Sequence, residues 1–129
     1  MVKDGFFCVY NNIEYEVTRN KEHEFIIMTE EINKVTPGFV DKYNSGVYTK
    51  PINKKDVSDY YRISSKAIYK GVEFNITTEK GSELFLGTDN AELARKMDFD
   101  RTDKYYYEKW VPENEVEIIM KRKELSLDN

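Results

Sequence analysis

Acid–base and nucleophilic chemistry near neutral pH draws first on histidine and cysteine, and this chain has one of each, His23 and Cys8. His23 stands between Glu22 and Glu24 in a polar stretch, which predicts a solvated turn. Cys8 lies in the short apolar run Phe6–Tyr10 and reads as a small core residue rather than a reactive thiol. Asp98, Asp100 and Asp103 are the best-spaced set for a hard cation, which takes several carboxylates from one loop. The calcium-loop pattern is nevertheless broken: Asp103 and Lys109 occupy its sixth and twelfth positions, where glycine and glutamate belong, and Arg101 and Lys104 lie within it. A solvated charged loop is the expectation. Twenty-four acidic residues make any one carboxylate pair uninformative about hydrolysis. The six glycines form neither a phosphate cradle nor a nucleophile elbow. No catalytic residue, metal ligand or cofactor site is predicted.

Recognition chemistry is better represented. Tyr105, Tyr106, Tyr107 and Trp110 form an aromatic cluster flanked by Asp98, Asp100, Asp103, Glu108, Glu113, Glu115 and Glu117. Tyrosine and tryptophan are favoured interface anchors. On a strand, Tyr105 and Tyr107 would face one side and Tyr106 the other. The rings then either pack between the chain's two halves or form an open patch. The predicted partner-binding set is Asp98, Asp100, Asp103, Tyr105, Tyr106, Tyr107, Trp110 and Glu113.

The elements that must position these residues occur twice. At an offset of 59 residues Tyr10 falls on Tyr69, Glu14 on Glu73, Thr18 on Thr77, Lys21 on Lys80, Thr29 on Thr88, Tyr48 on Tyr107, Lys50 on Lys109 and Val57 on Val116, without a gap. Two copies are predicted, over residues 1–64 and 65–129. Each opens with three strands. Asn11-Asn12 and Lys70-Gly71 suit tight hairpins. Ile13–Val17 and Val72–Ile76 alternate apolar and polar residues with period two, the mark of a strand with one buried face. Glu24–Met28 and Glu83–Gly87 make the third strands. The copies then diverge. Asp89–Met97 holds good helix formers, a capping-box-like Asp89/Glu92 start, and Leu93 and Met97 on one face, so a short helix is expected. In copy one, Thr36-Pro37-Gly38 should stop any helix after one turn. Asp41–Gly46 and Asp98–Lys104 read as loops. A strand through Val47–Lys50, or Tyr105–Trp110, leads to a polar turn and a last strand, Val57–Ile63 or Val116–Lys121.

The strand, the hexapeptide Val111-Pro112-Glu113-Asn114-Glu115-Val116 and the final strand together resemble the end of an SH3 domain, where a 3₁₀ turn separates the last two strands. The resemblance implies a mainly β fold with a short helix: two tandem SH3-like small barrels packed as a pseudo-symmetric pair. The motif is specific only in copy two, since copy one has Pro51 two positions early and Lys55 in place of the asparagine.

Net charge is −4 with both signs well mixed, which argues against a dedicated nucleic-acid binder and suits a basic protein partner. The N-terminus lacks an apolar signal region and no apolar run is long enough to span a bilayer, so a cytoplasmic protein with no membrane contact is expected. Small, mildly acidic and without catalytic residues, the chain resembles immunity proteins of bacterial toxin systems. That resemblance implies a monomer, or a one-to-one complex with a cognate toxin whose basic nuclease- or deaminase-type active site is occluded by an acidic, aromatic surface. An SH3-like module recognising peptides or other ligands is the alternative. Single-stranded nucleic acid bound on the aromatic face ranks behind both.

Overall fold

The computed structural model describes residues 2–127; residues 1, 128 and 129, the outermost ends of the expected copies, lie outside it. The protein is mainly β, with ten strands and one short α-helix among the described residues. In order they are β1 (Gly5–Tyr10), β2 (Ile13–Arg19), β3 (Phe25–Thr29), β4 (Tyr48–Ile52), β5 (Val57–Tyr69), β6 (Val72–Lys80), β7 (Glu83–Thr88), α1 (Ala91–Lys96), β8 (Asp100–Asp103), β9 (Tyr106–Pro112) and β10 (Val116–Glu124). Short 3₁₀ turns occupy Ile32–Lys34, Lys54–Asp56 and Glu113–Glu115. The hydrogen-bonded order is β4-β3-β2-β1-β5-β6-β7-β9-β8, with β10 also on β5. This path is open, because no pairing among the described residues joins β4 to β8. No helix among them is long and apolar enough to cross a membrane.

The chain forms two compact units. The first comprises Asp4–Ile63 and the segment from Arg122 onward; the second comprises Ser64–Lys121 and the residues ahead of Asp4. The last strand of copy one and the first strand of copy two are one element, β5, whose residues divide between the units after Ile63. The chain ends are exchanged in the same way. Leu125 donates its backbone N–H to the Tyr60 carbonyl at 2.9 Å and Leu127 packs on the first unit's core. Val2 packs on the second unit's core, and Ser65 Oγ donates to the Lys3 carbonyl at 2.5 Å.

Both units follow the 59-residue offset closely. Cys8 and Ala67 are each fully buried, and Tyr15, Phe25 and Ile27 are matched in the second core by Phe74, Leu84 and Leu86. Glu14 and Glu16 alternate with the buried Tyr15 and Val17 as the period-two pattern requires. The hairpin turns carry positive φ at Asn11 and Asn12 and at Lys70 and Gly71, the requirement of a two-residue turn whose twist matches the strands.

After the third strand each copy uses the same device. Thr29 Oγ accepts from the Glu31 N–H at 3.0 Å, and Thr88 Oγ from the Asn90 N–H at 3.1 Å. Copy one then makes one 3₁₀ turn, whereas copy two makes α1. The N-cap is Asn90, whose side chain accepts from the Leu93 N–H at 3.0 Å, one residue later than the Asp89 of the expected box. Leu93 and Met97 both pack on the core beside the buried Ala94. The segment 98–104 is not wholly a loop, since Asp100–Asp103 pairs with β9 as an edge strand. The closing 3₁₀ turn is present in both copies despite the weak motif in the first. There Asn53 caps it by accepting from the Lys55 N–H at 3.0 Å; in the second, Pro112 enters it at φ −57, the angle its ring enforces.

Candidate functional site

Lys50 and Lys109, equivalent in the repeat, hold each unit's divergent connection. Lys50 Nζ donates to the Pro37 carbonyl at 3.1 Å and lies 5.2 Å from the Tyr10 ring centre. Lys109 Nζ donates to the Met97 carbonyl at 3.1 Å and lies 5.8 Å from the Tyr69 ring centre. Tyr10 and Tyr69 are themselves repeat-equivalent. A flexible stem with a compact charge suits this task, because the ammonium satisfies a loop carbonyl while an aromatic face lies near it.

Strand β9 alternates about that inward lysine. Tyr107 and Val111 turn toward the core of the second unit. Tyr106 and Trp110 lie on the opposite, outer face. Tyr106 and Tyr107 thus face opposite sides as expected, with Tyr107 packed on the core, but Tyr105 does not share the Tyr107 face: it precedes the strand, 73% exposed in the β8–β9 turn with Lys104 Nζ 5.6 Å from its ring centre. Trp110, 40% exposed, stacks on Phe85 across the β7–β9 pair, with ring centres 4.5 Å apart and planes 22° from parallel. Such a pair contributes about 0.5–1.5 kcal/mol beyond burial.

The rest of this outer face is a polar lattice. Tyr106 lies across the backbone of Gly87, where an added Cβ would come within 2.3 Å of its hydroxyl oxygen. The Asn75 amide donates to that oxygen at 3.1 Å, and Lys66 Nζ donates to the Asn75 side-chain oxygen at 2.7 Å. Glu108, opposite Gly87 and between Tyr106 and Trp110, accepts from Thr77 Oγ at 2.7 Å and from Thr102 Oγ at 2.5 Å. The acidic set is dispersed around this face. Asp100 and Asp103 lie exposed on the edge strand β8, Asp98 precedes it at φ 60, and Glu113 sits in the closing 3₁₀ turn, where its N–H donates to the Ser82 carbonyl at 2.8 Å. No three His, Cys, Asp or Glu side chains among the described residues come together as a metal-holding group. Phe85, Gly87, Thr77, Thr102 and Asn75 were not marked out by the sequence, because only the cross-strand register brings them beside Tyr106, Glu108 and Trp110.

His23 is exposed in the β2–β3 turn at φ 62, its N–H donating to the Asn20 carbonyl at 3.0 Å. Cys8 is inaccessible, and burial, with a smaller contribution from Glu14, pushes its thiol up to about 11. Each unit also bears a shallow groove beside its closing 3₁₀ turn. One of about 380 Å³ is lined by His23, Phe25, Ile52, Asn53 and Lys54 among others, and one of about 290 Å³ by Ser82, Pro112, Glu113 and Asn114. His23, Asn53 and Lys54 map by the offset onto Ser82, Pro112 and Glu113, so the grooves are repeat-equivalent.

Residues 2–128 match the family described as uncharacterised conserved protein UCP033725. The chain belongs to this family. No curated protein and no solved structure matches it.

Proposed function

We propose that the protein is a non-catalytic binding protein that neutralises a cognate bacterial toxin, and that the outer face of β7, β9 and β8 makes the contact. The observation that carries this reading is Trp110, held by Phe85 yet 40% exposed on a sheet face whose edge strand, β8, bears the exposed Asp100 and Asp103. A rigid aromatic anchor with acidic surroundings fits a basic cleft of the kind a nuclease or nucleic-acid deaminase presents, and the charges steer association. The finer reading of the scaffold belongs with it: each unit is an SH3-like small barrel. A four-stranded meander, a 3₁₀ turn and a fifth strand returning to the first support that reading.

The test is coexpression with the product of the neighbouring toxin gene. Growth should be rescued, and reversing Asp98, Asp100 and Asp103 to lysine should slow association of the purified pair by tenfold or more at low salt. Failure to rescue would sink the proposal; unchanged kinetics would remove β8 and its approach from the interface. The repeat-equivalent grooves favour one second reading, recognition of an extended peptide beside the closing turns. Saturable binding of a Pro-rich peptide, abolished by substitutions at Asn53 or Pro112, would support it over the first.

A further inference from the structure

On the outer face described above, the side-chain partners of Glu108 among the described residues are two threonine hydroxyls. One oxygen accepts from Thr102, and the other from Thr77, whose single hydroxyl proton also lies within reach of the Phe85 carbonyl at 2.9 Å; neither hydroxyl carries a charge. Lys66, Arg101, Lys104 and Lys109 are committed elsewhere. Lys66 of β5 donates to Asn75. Arg101 of β8 donates through its guanidinium to the carbonyls of Asp103 and Lys104 at 3.2 and 2.9 Å. Lys104 leans over Tyr105, and Lys109 of β9 points to the opposite face, onto Met97. No ion pair to Glu108 forms among the described residues. Two hydroxyl bonds leave roughly half of the about four lone-pair positions of a carboxylate unused.

Trp110 stands two residues further along the same face, about 7 Å away for a β-strand. Phe85 covers one side of the indole. Trp110 stays 40% exposed. β8 begins at Asp100, which pairs with Glu108, so no β8 residue pairs with Trp110, and Asp98, at φ 60, lies ahead of the strand. A hydrogen-bonded carboxylate next to a part-exposed indole is a receptor for a planar cation, which can stack on the ring while its N–H groups reach the oxygens.

We infer that Glu108 and Trp110 form a subsite for a guanidinium group, an arginine side chain presented by a protein partner. The inference rests on the binding role proposed above only for the source of that arginine; the subsite itself rests on the geometry of Glu108, Thr77, Thr102 and Trp110. Arginine fits better than lysine because a guanidinium stacks and donates in one plane, whereas an ammonium is a point charge with a strong hydration shell.

Trp110 is the sole tryptophan, so its fluorescence reports on this site alone. Titration with hexa-arginine should give a saturable change, hexalysine a weaker one, and hexacitrulline, which has the shape without the charge, none. Glu108→Gln, checked by circular dichroism for an unchanged fold, should lower affinity for hexa-arginine about tenfold. Glu117→Gln, on β10, should leave it unchanged. Equal responses to the arginine and citrulline peptides would overturn the inference, as would equal affinity in Glu108→Gln and the parent. Growth protection that persists without any arginine response would overturn the subsite alone; arginine binding without growth protection would overturn the toxin reading instead.

Discussion

Gly87→Ala is the substitution that most directly tests how the outer face is built. Gly87 sits within β7 opposite Glu108, and its backbone is covered by the Tyr106 ring. A methyl group there would meet the Tyr106 hydroxyl oxygen at 2.3 Å, Cε2 at 2.5 Å and Cζ at 2.6 Å. The ring must swing off, losing its packing on the strand and the Asn75 bond at 3.1 Å. Overpacking of this kind costs about 1–3 kcal/mol and a lost hydrogen bond about 1 kcal/mol. Against that, alanine restricts the unfolded chain and returns about 0.4–1 kcal/mol. The net expectation is a loss of about 1–3.5 kcal/mol. At about 2.1 cal/mol/K per residue over a cooperative chain of this length, that lowers Tm by about 4–13 °C. Urea melts of the single and double variants provide the assay. In a Tyr106→Ala background the clash is gone, so Gly87→Ala should become neutral or slightly stabilising, a coupling of about 2–4 kcal/mol. An equal cost in both backgrounds would refute the reasoning, because the penalty would then come from the strand backbone and not from the ring.

The buried Cys8 thiol, raised by burial and by Glu14 to about 11 from an ordinary value near 9, sets an alkaline limit. The native state holds this proton more tightly than the unfolded chain, so its contribution is complete below about pH 9 and falls away as pH rises through about 11, by about 2–3 kcal/mol. Tyr15 and Tyr61, also raised by burial, add to the decline at higher pH. Cys8→Ala, which places the second unit's Ala67 in the first, should flatten the fall between pH 9 and 11 in urea melts; an unaltered slope would contradict the assignment. Lys109→Met should cost about 1 kcal/mol and raise hydrogen exchange around residues 97–99, and Lys50→Met should do the same around residues 37–39. Exchange that rises elsewhere but not in these connections would show that the lysines do not hold them.

The 59-residue repeat was legible because it is written in residue types at fixed spacing. Period-two alternation in Ile13–Val17 and Val72–Ile76 and turn formers at Asn11-Asn12 and Lys70-Gly71 are local signals, and physics that acts over a few residues reads them without a fold. α1 was legible for the same reason, although its cap moved from Asp89 to Asn90, since either side chain can accept from the first turn. Less legible were the ends of strands. β8 reads as loop in the sequence because its four residues, Asp-Arg-Thr-Asp, carry no apolar alternation; they are strand only because β9 offers them partners. Tyr105 and Tyr107 share a face in a continuous strand, but the β8–β9 turn takes Tyr105 out of it.

The sequence by itself determined that the chain is mainly β and that it repeats at an offset of 59 residues. Only the tertiary structure decided which residues share the outer face of β7, β9 and β8. Glu108 was one acidic residue among many, and Gly87, Phe85, Thr77 and Thr102 were ordinary strand positions. Cross-strand register placed them side by side, because in an antiparallel pair the neighbours of a residue are set by hydrogen bonding between segments distant in the chain. Composition and spacing carry no record of that register until the strands are paired.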